Sequence, residues 1–323
     1  MSEEPNRESD IGDLAFTREG PYGTQIEPMY SGATSFLRRN YSKSLHGVDV
    51  AILGIPYDLA TSNRPGARFG PRAVRAASTN LAWASPWPWN FDPFKRLNVI
   101  DYGDCIFDPG YPDKVPDEIE ACVQNFCDAN VTPISIGGDH FVTFPIVKAL
   151  SKKHGPISLI HFDAHSDTWA DQDGRIDHGT MFYHAAKQGF ADPSSSVQIG
   201  MRTTNRNTHG YQVLDADWLH SHGTEACIEA IRRRVGKQPC YLTFDVDFLD
   251  PSCAPGTGTP VCGGFSTYQA IQLIKGLAGL NVIGCDVVEV SPPYDHAEMT
   301  ALAGATIATN MLCLLASEKP DRI

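Results

Sequence analysis

The chain has 323 residues, 42% hydrophobic and 20% charged, with a formal net charge of −12. This is the composition of an ordinary globular protein rather than a fibrous or low-complexity chain, and with no basic stripe it argues against nucleic acid as a partner. No membrane span is expected, because no apolar run is read as reaching the roughly 18–20 residues needed, and the polar, acidic first residues do not resemble a signal peptide.

In chain order, residues 1–46 are polar, glycine-containing and aperiodic. They read as an N-terminal extension that begins disordered and then wraps over the body or a neighbouring subunit. Residues 47–323 read as a single catalytic domain. It contains eight strand-like runs, at 49–54, 97–101, 132–136, 157–162, 197–200, 212–214, 240–244 and 282–287. Several are rich in β-branched residues and end at Gly or Asp, the pattern of buried parallel strands.

Helical patterns lie between many of these runs. In 115–130, Ile119, Cys122, Val123 and Phe126 form an i, i+3, i+4, i+7 stripe, with Pro116 near the start. Helices are also predicted at 141–154, 180–187, 223–236, 266–279 and 300–319. The helix at 266–279 opens on a capping Ser, and the last stops before Pro320. Alternation of strand and helix implies an α/β fold with a parallel sheet covered on both faces.

Two loops are too rich in Gly, Pro or Trp to be simple connectors. The first, TSNRPGARFGP at 61–71, opens after the first strand and carries Arg64 and Arg68 for a carboxylate or a partner subunit, or as surface charges. The second, 83–92, holds Trp83, Trp87 and Trp89. These either wall a pocket for an aliphatic chain or bury an irregular loop or a subunit contact. Nine scattered cysteines with no CxxC pair read as core residues of a reducing compartment, the cytoplasm, and not as disulfides or a zinc site.

Three short blocks carry the chemistry, each at the end of a predicted strand. They are IGGDH with His140, HFDAHSD with Asp163, His165 and Asp167, and FDVDFLDP with Asp245 and Asp247. Residues two apart on a strand share a face, so ligands within a block can converge at the carboxyl edge of the sheet, where open α/β folds gather their ligands. A lone DxD is also a common turn or cap, and GGDH can be a glycine turn with Asp as helix N-cap. DxHxD is harder to explain without a cation, because three ionisable groups at alternate positions desolvate or repel one another. Four carboxylates and two imidazoles suit two Mn2+ ions better than a thiolate-loving metal. Two such ions can share a water and acidify it. The blocks therefore read as a metal-dependent hydrolase.

Two further residues stand near these blocks. His178, in DGRIDHGT, sits close to the metal block without belonging to it, and is either a proton shuttle or a helix-capping histidine. Glu289, in DVVEVSPPYD past the last strand, can hold a guanidinium through paired N–H donors. Asp286 competes with it for that role, and a structural salt bridge is open to either.

GGDH, DAHSD and DVDFLDPSCAPGTGTP resemble, in order, the three metal-binding signatures of the ureohydrolase family of arginases, agmatinases and guanidino-acid hydrolases. The resemblance runs from about residue 49 to the C-terminus. STNLAW, PWNFD, GGDHFVT and DHGTMFY resemble the bacterial agmatinase branch. The resemblance implies a three-layer α/β/α sandwich around a mainly parallel eight-stranded sheet. It implies that Asp163 and Asp245 bridge two Mn2+ ions, with His140 and Asp167 completing one and His165 and Asp247 the other. A hydroxide shared by the ions would attack the guanidinium carbon that Glu289 holds. Asp167 would pass a proton to the departing amine, and His178 would exchange protons with solvent. The implied substrate is small and cationic: agmatine, cleaved to putrescine and urea, as in polyamine metabolism. Guanidinobutyrate or guanidinopropionate is the alternative. A formimino-group hydrolase or a non-catalytic scaffold stands further off, the latter disfavoured because all six ligands are present. A homo-oligomer, trimer or hexamer, is implied as well.

Overall fold

The computed structural model describes residues 28–82, 85–170 and 174–322. Eight strands form one sheet: β1 Val50–Ile55, β2 Val99–Asp104, β3 Thr132–Gly137, β4 Ser158–Phe162, β5 Val197–Ile199, β6 Gln212–Leu214, β7 Cys240–Asp245 and β8 Val282–Val288. Their spatial order is β2-β1-β3-β8-β7-β4-β5-β6, and every pairing is parallel. All eight predicted runs are strands. The helices are α1 Gly70–Ser78, α2 Val115–Ala129, α3 Thr143–His154, α4 Met181–Lys187, α5 Ala216–Val235, α6 Thr267–Gly276 and α7 Met299–Ala316. Two separate apolar clusters flank the sheet, one containing α5, α6 and α7 residues and the other α2, α3 and α4 residues, which is the expected α/β/α sandwich.

Local chemistry explains the helix ends. In α2, Pro116 occupies the first turn with Asp117 and Glu118, and Asn130 closes the helix in the left-handed region at φ 57°. A capping box between Ser266 and Gln269 starts α6. Two helices differ from expectation. The segment read as loop through residue 71 turns helical at Gly70, because Pro71 is accepted in a first helical turn. The helix expected from residue 223 is preceded by another segment capped by Asp215, and the two meet at a non-helical Gly223 with φ 81° and ψ 174°.

α7 corrects the reading of apolar runs. It is an 18-residue helix of mean hydropathy 1.6, long and apolar enough by length and composition to cross a membrane. Here it is a core helix, with most of its side chains buried against α1, α6 and β8. Residues on all sides are apolar because the helix is surrounded. The Trp-rich loop packs on it: the Trp89 indole N–H donates to Asn310 Oδ1 at 2.7 Å. Trp87 is exposed beside Tyr268, and Trp83 lies outside the described residues. Six cysteines are buried, Cys122 and Cys253 are partly so and Cys262 is exposed, and none forms a disulfide.

The expectation of a disordered start falls on residues outside those described. From residue 28 the chain lies on the body. Phe36 and Leu37 are buried, and their backbone N–H groups donate to Asp101 Oδ2 and Ser78 Oγ. Asp101 also pairs with buried Arg75, which reaches Asp104 as well.

Strand order decides which side chains meet at the carboxyl edge of the sheet. β3 and β4 are consecutive in the chain but separated in the sheet by β8 and β7. Ile136 is in register with Val287, Val287 with Phe244 and Phe244 with Phe162. The next residues along are Gly137, Val288, Asp245 and Asp163, so the two aspartates emerge side by side. Gly138 then passes against the backbone of Tyr57: a Cβ there would sit 1.7 Å from the Tyr57 carbonyl oxygen. No rotamer relieves a backbone clash, so Gly138→Ala is expected to lower stability by more than about 3 kcal/mol, read as a fall in denaturation midpoint.

Candidate metal centre

The carboxyl ends of β3, β8, β7 and β4 supply the site. His140 follows β3, Asp163, His165 and Asp167 follow β4, Asp245 and Asp247 come from the end of β7, and Glu289 follows β8. The structure brings all six sequence-predicted ligands together. His140 Nδ1 lies 3.0 Å from Asp163 Oδ2, 3.0 Å from Asp167 Oδ2 and 3.4 Å from Asp245 Oδ2. His165 Nδ1 lies 3.3 Å from Asp163 Oδ1 and 3.0 Å from Asp247 Oδ2. The two oxygens of Asp163 thus face different groups of donors. Asp163 belongs to two clusters of potential ligand atoms, one with His140, His161 and Asp167 and the other with His165 and Asp247. Asp245 joins the first through its approach to His140.

The donor set fits divalent cations. His140 Nε2 lies 2.8 Å from Thr243 Oγ1, while its buried Nδ1 makes no hydrogen bond and points at three carboxylates. A lone pair aimed at anions is repulsive unless a proton or a cation lies between them. Burial alone would lower the His140 pKa, but Asp163, Asp167 and Asp245 raise it well above the usual imidazole value. Burial raises the carboxyls of Asp167, Asp245 and Asp247, helped by the charge of their aspartate neighbours. Asp163 goes the other way: burial opposes its ionisation, but the surrounding imidazoles of His161, His140 and His165 hold it well below the carboxylate range. Four buried carboxylates crowded in this way call for positive charge.

Glu289 and His178 form the second part of the site. Glu289 Oε1 accepts from the His140 backbone N–H at 3.0 Å and lies 2.9 Å from His178 Nδ1. Glu289 Oε2 is buried without a hydrogen-bond partner. Glu289 and Asp167 both hold positive φ, at 64° and 51°, a conformation that non-glycine residues adopt at a cost of order 1–3 kcal/mol and that clusters at functional sites. Asp286, the competing carboxylate, is engaged elsewhere: it accepts from Thr143 Oγ1 and Tyr241 OH beneath the centre.

His178 caps no helix. Its Nε2 receives the Ser62 backbone N–H at 2.9 Å and lies 2.7 Å from Ser62 Oγ. Burial would lower its pKa, but the Glu289 hydrogen bond and charge push it up to about 9. The Ser62 N–H suits a neutral ring, and the Glu289 pairing suits a charged one. Both states find partners, which is what a proton carrier needs.

A cavity of about 310 Å³ opens over this centre, lined by Ser62, His165, Asp167, Trp169, Asp177, His178, Gly179, Thr180, Asp245 and Thr259. Among the described residues no Lys or Arg lines it. Arg68 is paired with Asp58, Arg64 lies over the Tyr294 ring, and Arg202 is spent on backbone carbonyls of the 247–261 loop. Sequence reasoning missed Ser62, Trp169 and Thr259 because long loops carry them into the wall from separate parts of the chain. It also missed Asp139, whose Oδ2 holds the Ala60 N–H at 2.8 Å and so pins the loop bearing Ser62. His161 was missed although the HxD spacing with Asp163 was readable.

Comparison with known proteins agrees with this geometry. The model of the Arginase family matches residues 48–313. The chain is 51% identical over 310 residues to an agmatinase from Chromobacterium violaceum, covering 95% of this chain and 96% of that one. It is similar to the solved structure of a hypothetical agmatinase from Burkholderia thailandensis, with TM-score 0.91, 52% identity, and 94% and 98% of the two chains covered. It is also similar to proclavaminate amidino hydrolase from Streptomyces clavuligerus, with TM-score 0.86, 36% identity and 90% and 99% covered.

Mn2+ added to metal-stripped protein is expected to raise the thermal midpoint, since a ligand at a hundred times its Kd stabilises by about 2.7 kcal/mol. The increment should grow between pH 5.5 and 7.5, because protons and cations compete for the same ligand atoms. Asp245→Asn should abolish most of it. An unchanged increment in that variant, measured by scanning calorimetry, would remove Asp245 from the ligand set.

Proposed function

The chain belongs to the arginase family, and from that premise we propose that it hydrolyses the guanidino group of agmatine, releasing putrescine and urea. The observation that carries the choice of substrate is the cavity wall. It offers an indole, hydroxyls and Asp177 to the substrate's tail, and no Lys or Arg among its described residues. A guanidino acid would need a cation or several N–H donors for its carboxylate. Agmatine ends in an ammonium, which an adjacent Arg would repel. The agmatinase relatives support the same reading.

The ligand assignment we favour has Asp163 and Asp245 shared between two Mn2+ ions. His140 and Asp167 complete one set and His165 and Asp247 the other. The oxygen-rich donor set with a minority of imidazole favours Mn2+ over softer metals. When bound, the two cations would supply an acidified water and a positive field at the reacting carbon.

The remaining work falls to the chain's own side chains. The unpartnered Glu289 Oε2 is an acceptor for a guanidinium N–H, and Oε1 is held by His140 N–H and His178. That grip keeps the planar cation oriented as its charge is lost in the transition state. Asp167, in the cavity wall, would take the proton of the oxygen that adds to the guanidinium carbon and pass it to the departing amine. His178 exchanges protons with solvent through the exposed Ser62 side. The Tyr57–Ser62 segment, pinned by Asp139, closes one side of the cavity.

The test is urea release from Mn2+-loaded protein offered agmatine, arginine, 4-guanidinobutyrate and 3-guanidinopropionate side by side. Strong preference for agmatine is expected. Preference for a guanidino acid would keep the chemistry and overturn the substrate. His178→Asn should lower turnover by on the order of 10²–10⁴-fold while leaving metal content intact. Wild-type turnover across the pH range would exclude it as a proton carrier.

A further inference from the structure

His161 belongs to neither proposed ligand set, yet it is fully engaged. It lies on β4 two residues before Asp163, so both side chains leave the strand on the same face, and it is 1% exposed. Its Nε2 is 2.7 Å from Asp163 Oδ2. Its Nδ1 faces Gln198 Nε2 at 3.2 Å. Gln198 is its register partner on β5.

The amide orientation of Gln198 decides the tautomer. The same Nε2 lies 2.5 Å from the Ser166 carbonyl oxygen, where an amide oxygen would meet another acceptor. Gln198 therefore donates with both its protons, one to Ser166 and one to His161 Nδ1. Nδ1 is then an acceptor, the ring proton sits on Nε2, and Nε2–H donates to Asp163. No lone pair is left on the ring to bind a metal directly. Packing fixes the ring as well: the Phe182 centroid lies 4.6 Å away at 65°, and the His140 ring 5.1 Å away at 67°.

We propose that His161, locked by Gln198, is a positioning residue that orients the Asp163 carboxylate for the two cations it would share. The proposal rests on the reading of Asp163 as a shared ligand. The Nε2–H takes one lone-pair direction of Oδ2 and leaves the other toward His140 and Asp167, 3.0 Å from His140 Nδ1. On the other side the His165 backbone N–H donates to Oδ1 at 2.6 Å. Each oxygen thus has one fixed donor and one direction left open. A neutral donor does this without adding a positive charge that would oppose the cations.

Three variants test the assignment. His161→Phe keeps an aromatic ring against Phe182 and removes the donor. His161→Gln keeps an N–H at similar reach. Gln198→Leu removes the lock on the tautomer and keeps the rest. Mn2+ is titrated by calorimetry into metal-stripped protein, the fold is checked by circular dichroism, and the spin-coupled signal of the loaded pair is recorded by electron paramagnetic resonance. His161→Phe is expected to bind Mn2+ on the order of 10–100-fold more weakly, with an altered pair signal. His161→Gln should recover most of both, and Gln198→Leu should fall between. Should His161→Phe not fold, Gln198→Leu carries the test, and wild-type affinity and signal in it would overturn the proposal. Two ions in the wild type with undiminished affinity in His161→Phe would overturn the assignment alone. One ion or none in the wild type would overturn the shared-ligand reading and this assignment with it.

Discussion

The constraint on which this structure turns is the desolvation of four aspartates in one place. Asp163, Asp167, Asp245 and Asp247 are each no more than 4% exposed, and their ligand atoms converge on two imidazole nitrogens. Isolated buried carboxylates escape their cost by taking up protons. Here burial pushes three of the four that way, while Asp163 is held ionised by the histidines around it. One carboxylate pushed toward its charged form among three pushed the other way is a coherent arrangement if it is the one two cations share. It is hard to account for as a device for stability, since apolar residues of similar volume would serve that purpose better.

The fold answers this constraint by topology. Ligands from three different strands must arrive at one point, and chain order alone would not bring them there. The crossover from β3 to β4 leaves a gap that β7 and β8 fill much later in the chain. The inserted strands carry Asp245 and Glu289, so the pieces of the site meet only when the sheet is complete. Gly138 lets the Tyr57 backbone cross the end of β3, and its carbonyl receives the Glu289 N–H at 2.8 Å. A glycine is required at that position by contact, and the same contact aligns the loop that closes the cavity. The centre and its cover are therefore positioned by one crossing.

Much of this is legible in the sequence because the ligands are short-range patterns. DAHSD puts three groups at alternate positions, and the strand period fixes their common face. Most of the strands are readable because they are short apolar runs buried on both sides, whereas the edge strands β2 and β6 are more polar and only partly buried. The helices at Gly70 and Ala216 are not, because Gly and Pro at the start of one, and Gly223 within the other, look like breaks until neighbouring elements hold them. α7 misleads in the opposite sense: its scattered Thr, Ala and Gly keep it from reading as an apolar run, though nothing charged interrupts it. The choice between Asp286 and Glu289 cannot be made from spacing. It depends on Tyr241 and Thr143 lying beneath Asp286, a fact of packing between distant segments. His161 is the instructive omission. Its HxD spacing is in plain view, but its importance depends on Gln198, which only the β4–β5 register supplies.

Charge balance across the assembled site bears on which substrates it can take. On the proposed reading, four carboxylates would balance the charge of two divalent cations before any bound water ionises. Glu289, with its unpartnered Oε2, would then offer one negative charge to one guanidinium. A substrate with only these groups is compensated, and any further charge on its tail must be met by the cavity wall. That wall presents Asp177, whose charge is shared with the exposed Arg175, and the π-face of Trp169, in a protein of net charge −12. A tail carboxylate would enter an acidic field in which no described Lys or Arg lines the wall and Arg175 is already paired with Asp177. A tail ammonium enters the same field with favourable sign, and an indole is a surface on which both its methylenes and its charge can rest. On the proposed reading, discrimination would rest on the difference between two tails on a common reacting group.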